Sequence, residues 1–188
     1  MQAELENLAW KHNAPLTAFL ELTHNCNFGC GHCYNFDRSK SQPKAHRPPL
    51  RLSDFKVILE QLKDLGVMQV CLTGGEPLVY RDLLPLCQFG SNLGLFLSLK
   101  TNGSRLSFEK LQELVAAGVK GIDITLYGLS EQTQDSFVGV KNAWSNVTQA
   151  IKDIQKLPFE LTINWSILRH NEHEETMLSA RSEEFGQT

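Results

Sequence analysis

The chain has 188 residues, 41% of them hydrophobic and 21% charged, with a formal net charge of −3; this is enough for one domain with a real core, in an ordinary globular composition. The slight negative charge leaves no basic footprint for nucleic acid, and no apolar run is long enough to span a bilayer. Five cysteines, an odd number with three crowded together, argue against a disulfide framework and for a reducing, cytoplasmic setting, and residues 1–13 lack the apolar h-region of a signal peptide.

In chain order, residues 1–13 are expected to form a short helix with Leu5, Leu8 and Ala9 on one side, broken at Ala14-Pro15. Residues 1–15 form an N-terminal extension to a core at 16–188. Leu16 to Thr23 reads as a strand that leads into a cysteine-rich loop. Asn35 to Arg51, with Pro43, Pro48 and Pro49 among Lys40, Lys44 and Arg47, reads as a loop over one face of that site. Ser53 is placed as the N-cap of a helix bearing Phe55, Ile58, Leu59, Leu62 and Leu65, which Gly66 ends. Val67 to Thr73 is a buried strand followed by the turn Gly74-Gly75-Glu76-Pro77.

A second helix spans Asp82 to about Ser91 and tolerates Pro85 in its first turn. Leu95 to Lys100 is a third strand, closed by Thr101-Asn102-Gly103. Ser107 caps a third helix that Gly118 stops, and Gly121 to Leu126 is a fourth strand. Tyr127 to Lys141 reads as a connection. Trp144, Val147, Ile151 and Ile154 mark a fourth helix, Leu161 to Leu168 a fifth strand, and Asn171 the cap of a fifth helix with Met177, Leu178 and Phe185 on its apolar side. Five strands alternating with helices predict an α/β fold with a parallel sheet, a partial (β/α) barrel of about five βα units. An open Rossmann-type sheet is the second choice, but no G-x-G-x-x-G follows the first strand.

The chemistry gathers where such folds place it, at the carboxyl ends of the strands. Cys26, Cys30 and Cys33 lie at a C-x3-C-x2-C spacing with Gly29 and Gly31 between them. Those glycines permit positive φ, so the loop can wrap a bound object. Three thiolates on one loop suit an iron–sulfur cluster or zinc. A cubane usually takes four cysteines, so three would leave one iron open. Cys71 and Cys87 are read as small buried hydrophobes.

The loop resembles the signature of the radical S-adenosylmethionine (SAM) superfamily, with His32 in the aromatic position, and TGGEP at 73–77 resembles that family's GGE motif. The resemblance implies a 4Fe–4S cluster on Cys26, Cys30 and Cys33, with SAM chelating the open iron. It also implies reductive cleavage of SAM to a 5′-deoxyadenosyl radical that abstracts hydrogen from a substrate. Gly74, Gly75, Glu76 and Pro77 would run beside the methionine ammonium, which needs acceptors that glycines let approach. His32 would touch adenine, with Tyr34 beside it, and Thr125 would bond the SAM carboxylate or ribose.

Thr101, Asn102 and Asn164 are further candidate cofactor contacts by position, Asn164 to the ribose. Each has a plainer reading: His32 and Tyr34 suit loop packing, Thr125 strand propensity, and Thr101 and Asn102 turn chemistry. The stretch SEQTQDSFVGVKNAW resembles the branch carrying a C-terminal auxiliary-cluster (SPASM) domain, although Val138 stands where many members have Arg before Gly139. That branch implies a peptide or protein substrate, a small molecule being the other choice, and an electron donor such as a flavodoxin or ferredoxin. Family cores have six βα units, so five imply either a core incomplete at its C-terminus, as a fragment of a longer protein, or a reduced core, the first being the expectation. The rival readings are a zinc module using Cys26, Cys30, Cys33 and a histidine, and an electron-transfer iron–sulfur protein without SAM chemistry.

Overall fold

The computed structural model describes residues 2–33 and 49–177. Helix α1 (Gln2–Lys11) precedes strand β1 (Thr17–Glu21). There follow α2 (Leu52–Asp64), β2 (Gln69–Thr73), a 3-10 turn at Pro77–Val79, α3 (Leu83–Asn92) and β3 (Phe96–Thr101). The chain continues through α4 (Phe108–Ala116), β4 (Val119–Leu126), α5 (Glu131–Val138), α6 (Ala143–Ile154) and β5 (Glu160–Trp165), then a 3-10 turn at Glu172–Glu174. The strands form one sheet in the order β1-β2-β3-β4-β5, every neighbour parallel. This is the expected partial barrel. Among the described residues, no helix is long and apolar enough to cross a membrane.

Side-chain alternation gives the sheet two different faces. Val70, Leu72, Leu97, Leu99, Ile122, Ile124 and Leu126 are buried on one face against the helices. Burying each such side chain contributes about 1.5–3 kcal/mol. The alternate positions Cys71, Ser98, Lys100, Asp123 and Thr125 line the other, concave face, where Cys71 Sγ lies 4.0 Å from Asp123 Oδ2.

Several local expectations are corrected. Helix α2 is capped at Arg51, not Ser53, because the Asp54 carboxylate turns back to accept the Arg51 N–H at 2.8 Å. The 127–141 connection contains α5, capped by Ser130 Oγ, which accepts from Thr133 N at 3.1 Å, and closed by Gly139 at φ 70°. Its periodicity is hidden because a glutamine, Gln134, occupies a core position beside Val138. Asn171 caps no helix with its side chain. It is buried and instead accepts from Leu168 N at 2.6 Å while donating to the Tyr127 and Ser166 carbonyls at 3.0 and 2.8 Å. Met177 is 47% exposed; Leu178, Phe185 and most of the proline-bearing loop after Tyr34 lie outside the described residues.

Candidate functional site

A cleft opens at the carboxyl ends of the strands. Cys26, Cys30 and Cys33 line it from the loop after β1, and Thr73, Gly74 and Gly75 from the end of β2. Lys100, Thr101 and Asn102 contribute from β3, and Thr125 and Tyr127 from β4. The cysteines are reduced and partly exposed, as thiolate ligands must be to meet a bound group. Among the described residues, no three His, Cys, Asp or Glu side chains converge tightly enough to hold a single metal ion. The three sulfurs are distributed around one cleft.

The cysteine loop holds its shape through neighbouring loops. Gly29 and Gly31 are not among the positive-φ glycines, so the wrap does not use the left-handed freedom expected of them. Gly29 N donates to Val138 O at 2.8 Å, and Phe28, Val138 and Ala143 form a small core under Cys26 and Cys30. Val138 thus serves the site by its carbonyl and its packing.

On the other side, Gly75 N donates to Thr23 O at 2.6 Å and Glu76 N to Asn25 O at 2.8 Å. This close approach requires the two glycines. A Cβ on Gly75 would lie 2.2 Å from Asn25 O, and one on Gly74, at φ 127°, would lie 2.5 Å from Thr23 O.

Glu76 does not line the cleft. It is fully buried, and burial pushes its carboxyl above the usual range. Opposing that, Oε1 accepts from Thr101 Oγ1 at 2.6 Å and Leu78 N at 3.0 Å, while Oε2 accepts from Asn102 N at 2.8 Å. The carboxylate therefore ties the turn at 74–77 to the turn at 101–103. Pro77 is buried below it and opens the 3-10 turn. Asn102 reaches back to the cysteine loop, donating to Asn27 Oδ1 at 3.0 Å and to Cys26 Sγ at 3.8 Å.

His32 also lines the cleft and sits in an aromatic nest. Its ring centroid is 4.8 Å from that of Tyr127 and 5.0 Å from that of Phe137, both edge-on. Phe137 stacks on His170 at 4.1 Å. Burial, and secondarily the neighbouring His170, hold the His32 pKa below its ordinary value. Gln134 Oε1 accepts the Tyr127 N–H at 2.8 Å and fixes that corner. Thr125 faces the cleft. Asn164, its register partner on β5, is half-buried and is not among the lining residues. Tyr34 lies outside the described residues.

Sequence reasoning missed Lys100, a cation facing the cleft from β3. The strand pattern held the clue, because its alternation with buried Leu99 puts Lys100 on the open face.

The profile of the Radical SAM superfamily matches residues 20–180. A PqqA peptide cyclase of Bradyrhizobium diazoefficiens is 34% identical over 163 residues, 85% of this chain and 41% of that protein. An AdoMet-dependent heme synthase of Methanosarcina barkeri is 30% identical over 174 residues, 93% of this chain and 49% of that protein. This chain thus spans less than half the length of these curated relatives. Streptococcus suis SuiB bound to S-adenosylmethionine superposes with TM-score 0.77 at 21% identity, over 96% of this chain and 41% of that one. SuiB bound to its precursor peptide SuiA gives 0.76 at 21% identity, over 96% and 40%. These structures share the fold.

Proposed function

The chain belongs to the radical SAM superfamily, and from that premise we propose that Cys26, Cys30 and Cys33 hold a 4Fe–4S cluster beside a SAM site spanning the cleft. The observation that carries this reading is the meeting of the three thiols with the Gly74-Gly75 turn and Thr125 in one cleft. The donor set fits the group: three partly exposed thiols suit a cluster with one open iron. When bound, the reduced cluster and SAM supply a 5′-deoxyadenosyl radical for hydrogen abstraction.

The chain's own residues bind and orient. The Gly74-Gly75 turn borders the cleft and would present backbone acceptors to an ammonium there. Lys100 and Thr125 offer a cation and a hydroxyl to a carboxylate, a role not open to Val138. The ring of His32, edge-on to Tyr127 and Phe137, offers a flat aromatic surface to a nucleobase.

The substrate is proposed to be a peptide. Support comes from the PqqA peptide cyclase among the relatives, and from the SuiB fold neighbour with its precursor peptide. The heme synthase relative makes a small-molecule substrate the second reading. A flavodoxin or ferredoxin in a reducing cytoplasm is the proposed electron source.

Anaerobic reconstitution with iron and sulfide tests the core of the proposal. Four irons and labile sulfide per chain, and 5′-deoxyadenosine formed on reduction with SAM, are expected. Stoichiometric zinc without sulfide would overturn it, and a cluster with no SAM binding would reduce the chain to an electron-transfer module.

A further inference from the structure

The side chain of Asn102 sits between the cysteine loop and a buried carboxylate, and each of its polar atoms is committed. Its backbone N–H is held by Glu76 Oε2 at 2.8 Å. Its Oδ1 accepts from Ser104 N at 3.0 Å and from Ser104 Oγ at 2.7 Å. Ser104 Oγ in turn accepts from Asn27 Nδ2 at 2.8 Å. These bonds settle the orientation of the carboxamide, because Oδ1 faces two Ser104 groups and Nδ2 is left to donate. Nδ2 donates to Asn27 Oδ1 at 3.0 Å and to Cys26 Sγ at 3.8 Å. Phe28 N also donates to Cys26 Sγ, at 3.4 Å. Cys26 therefore receives donors both from its own loop and from the turn after β3, across the cleft.

We infer that Asn102 is a positioning residue that donates a hydrogen bond to the Cys26 thiolate and thereby raises the reduction potential of the cluster that Cys26 holds. This rests on the cluster reading above. Reduction adds negative charge to the cluster and its sulfurs. A fixed N–H aimed at a ligand sulfur stabilises the reduced form more than the oxidised one. Glu76 makes the donor rigid: fully buried, it accepts from the Thr101 hydroxyl and from the Asn102 backbone N–H, so the amide does not drift from the sulfur. The same contact couples the Gly74–Pro77 turn, beside the proposed ammonium site, to a cluster ligand.

The experiment is an EPR-monitored redox titration of reconstituted protein without SAM, comparing wild type with Asn102→Ala, Asn102→Ser and Asn27→Ala. Serine keeps turn chemistry but is too short to reach the sulfur, so it is read if the alanine variant fails to assemble four irons. Both Asn102 variants should disfavour reduction about tenfold, a shift of about 59 mV to more negative potential for one electron. Asn27→Ala perturbs the same network yet leaves the Asn102 donor in place, so its potential should stay near that of wild type. Unmoved potentials in the Asn102 variants with full iron and sulfide would overturn this inference alone. An equal shift in Asn27→Ala would overturn it as well, by tracing the effect to general loosening of the loop. Wild-type protein that takes up no cluster would overturn both this inference and the reading beneath it.

Discussion

Glu76 Oε2 accepts the backbone N–H of Asn102 at 2.8 Å, and this one bond joins the loop after β2 to the loop after β3 beneath the cleft. The same carboxylate takes two more donors at Oε1. Glu76→Gln replaces one acceptor oxygen with an NH2 group, so at least one buried donor then faces a donor. The expected cost is about 1–3 kcal/mol of stability, read by chemical denaturation, with weaker SAM binding because the turn at 74–77 loses its anchor.

Glu76 also sets a pH dependence. Its folded-state pKa is raised, chiefly by burial, above the ordinary value of 4.5. Between those two values the native state binds more protons than the unfolded chain, so stability falls as pH rises through that window. The contribution is fully present below the unfolded value. Glu76→Gln should flatten this slope, checked by denaturation midpoints measured from acidic to neutral pH; an unchanged slope would assign the dependence to other groups.

Gly75→Ala distinguishes a local from a shared role for the turn. Motif reasoning alone expects a bulky residue there to weaken SAM binding and spare the cluster. In the structure the added Cβ meets backbone on the cysteine loop, with Asn25 O at 2.2 Å and His24 O at 2.6 Å. Backbone cannot rotate aside as a side chain can, so the loop must shift, at a cost of about 1–3 kcal/mol. Iron and sulfide content should therefore fall along with SAM affinity; full cluster occupancy in Gly75→Ala would refute this.

The five cysteines should separate cleanly. Single Cys→Ala changes at Cys26, Cys30 or Cys33 should abolish cluster binding. Cys71→Ala and Cys87→Ala should retain it, since both thiols are buried and burial pushes the Cys87 thiol up to about 12. Cys87→Ala should instead cost about 1 kcal/mol as a small core truncation, visible as a lower denaturation midpoint at full iron content.

Lys100→Met tests the proposed carboxylate contact. Removing the cation while keeping the length of the side chain should weaken SAM binding about tenfold, in line with a hydrogen bond to a charged group worth about 1.5 kcal/mol. Titration calorimetry on reconstituted protein gives the affinity, and a loss that shrinks at high salt would confirm a charge contribution. Equal affinities for variant and wild type would remove Lys100 from the site.

What the sequence determined by itself was whatever is local along the chain. A C-x3-C-x2-C spacing keeps three thiols on one short loop, and TGGEP after a strand reads as a turn. Strong apolar periodicity marked α2, α4 and α6, whose buried faces repeat at helical spacing. Helix α5 escaped because Gln134 takes a core position there, and its reason, an acceptor for Tyr127 N seven residues back, is a contact made in the fold.

Tertiary structure decided which polar atoms face the cleft and which hold it up. Nothing in TGGEP says that the Glu76 carboxylate turns inward to Thr101 and Asn102, 25 and 26 residues on. That choice follows from β2 and β3 lying side by side in register, which brings the Asn102 N–H and the Thr101 hydroxyl to the buried point where the local Leu78 N–H already turns. A buried donor without a partner is costly, so the nearest carboxylate is drawn in to satisfy it. Lys100 and Asn102 gained their places the same way: strand alternation turned one toward the cleft, and the register of β3 beside β2 carried the other to Cys26.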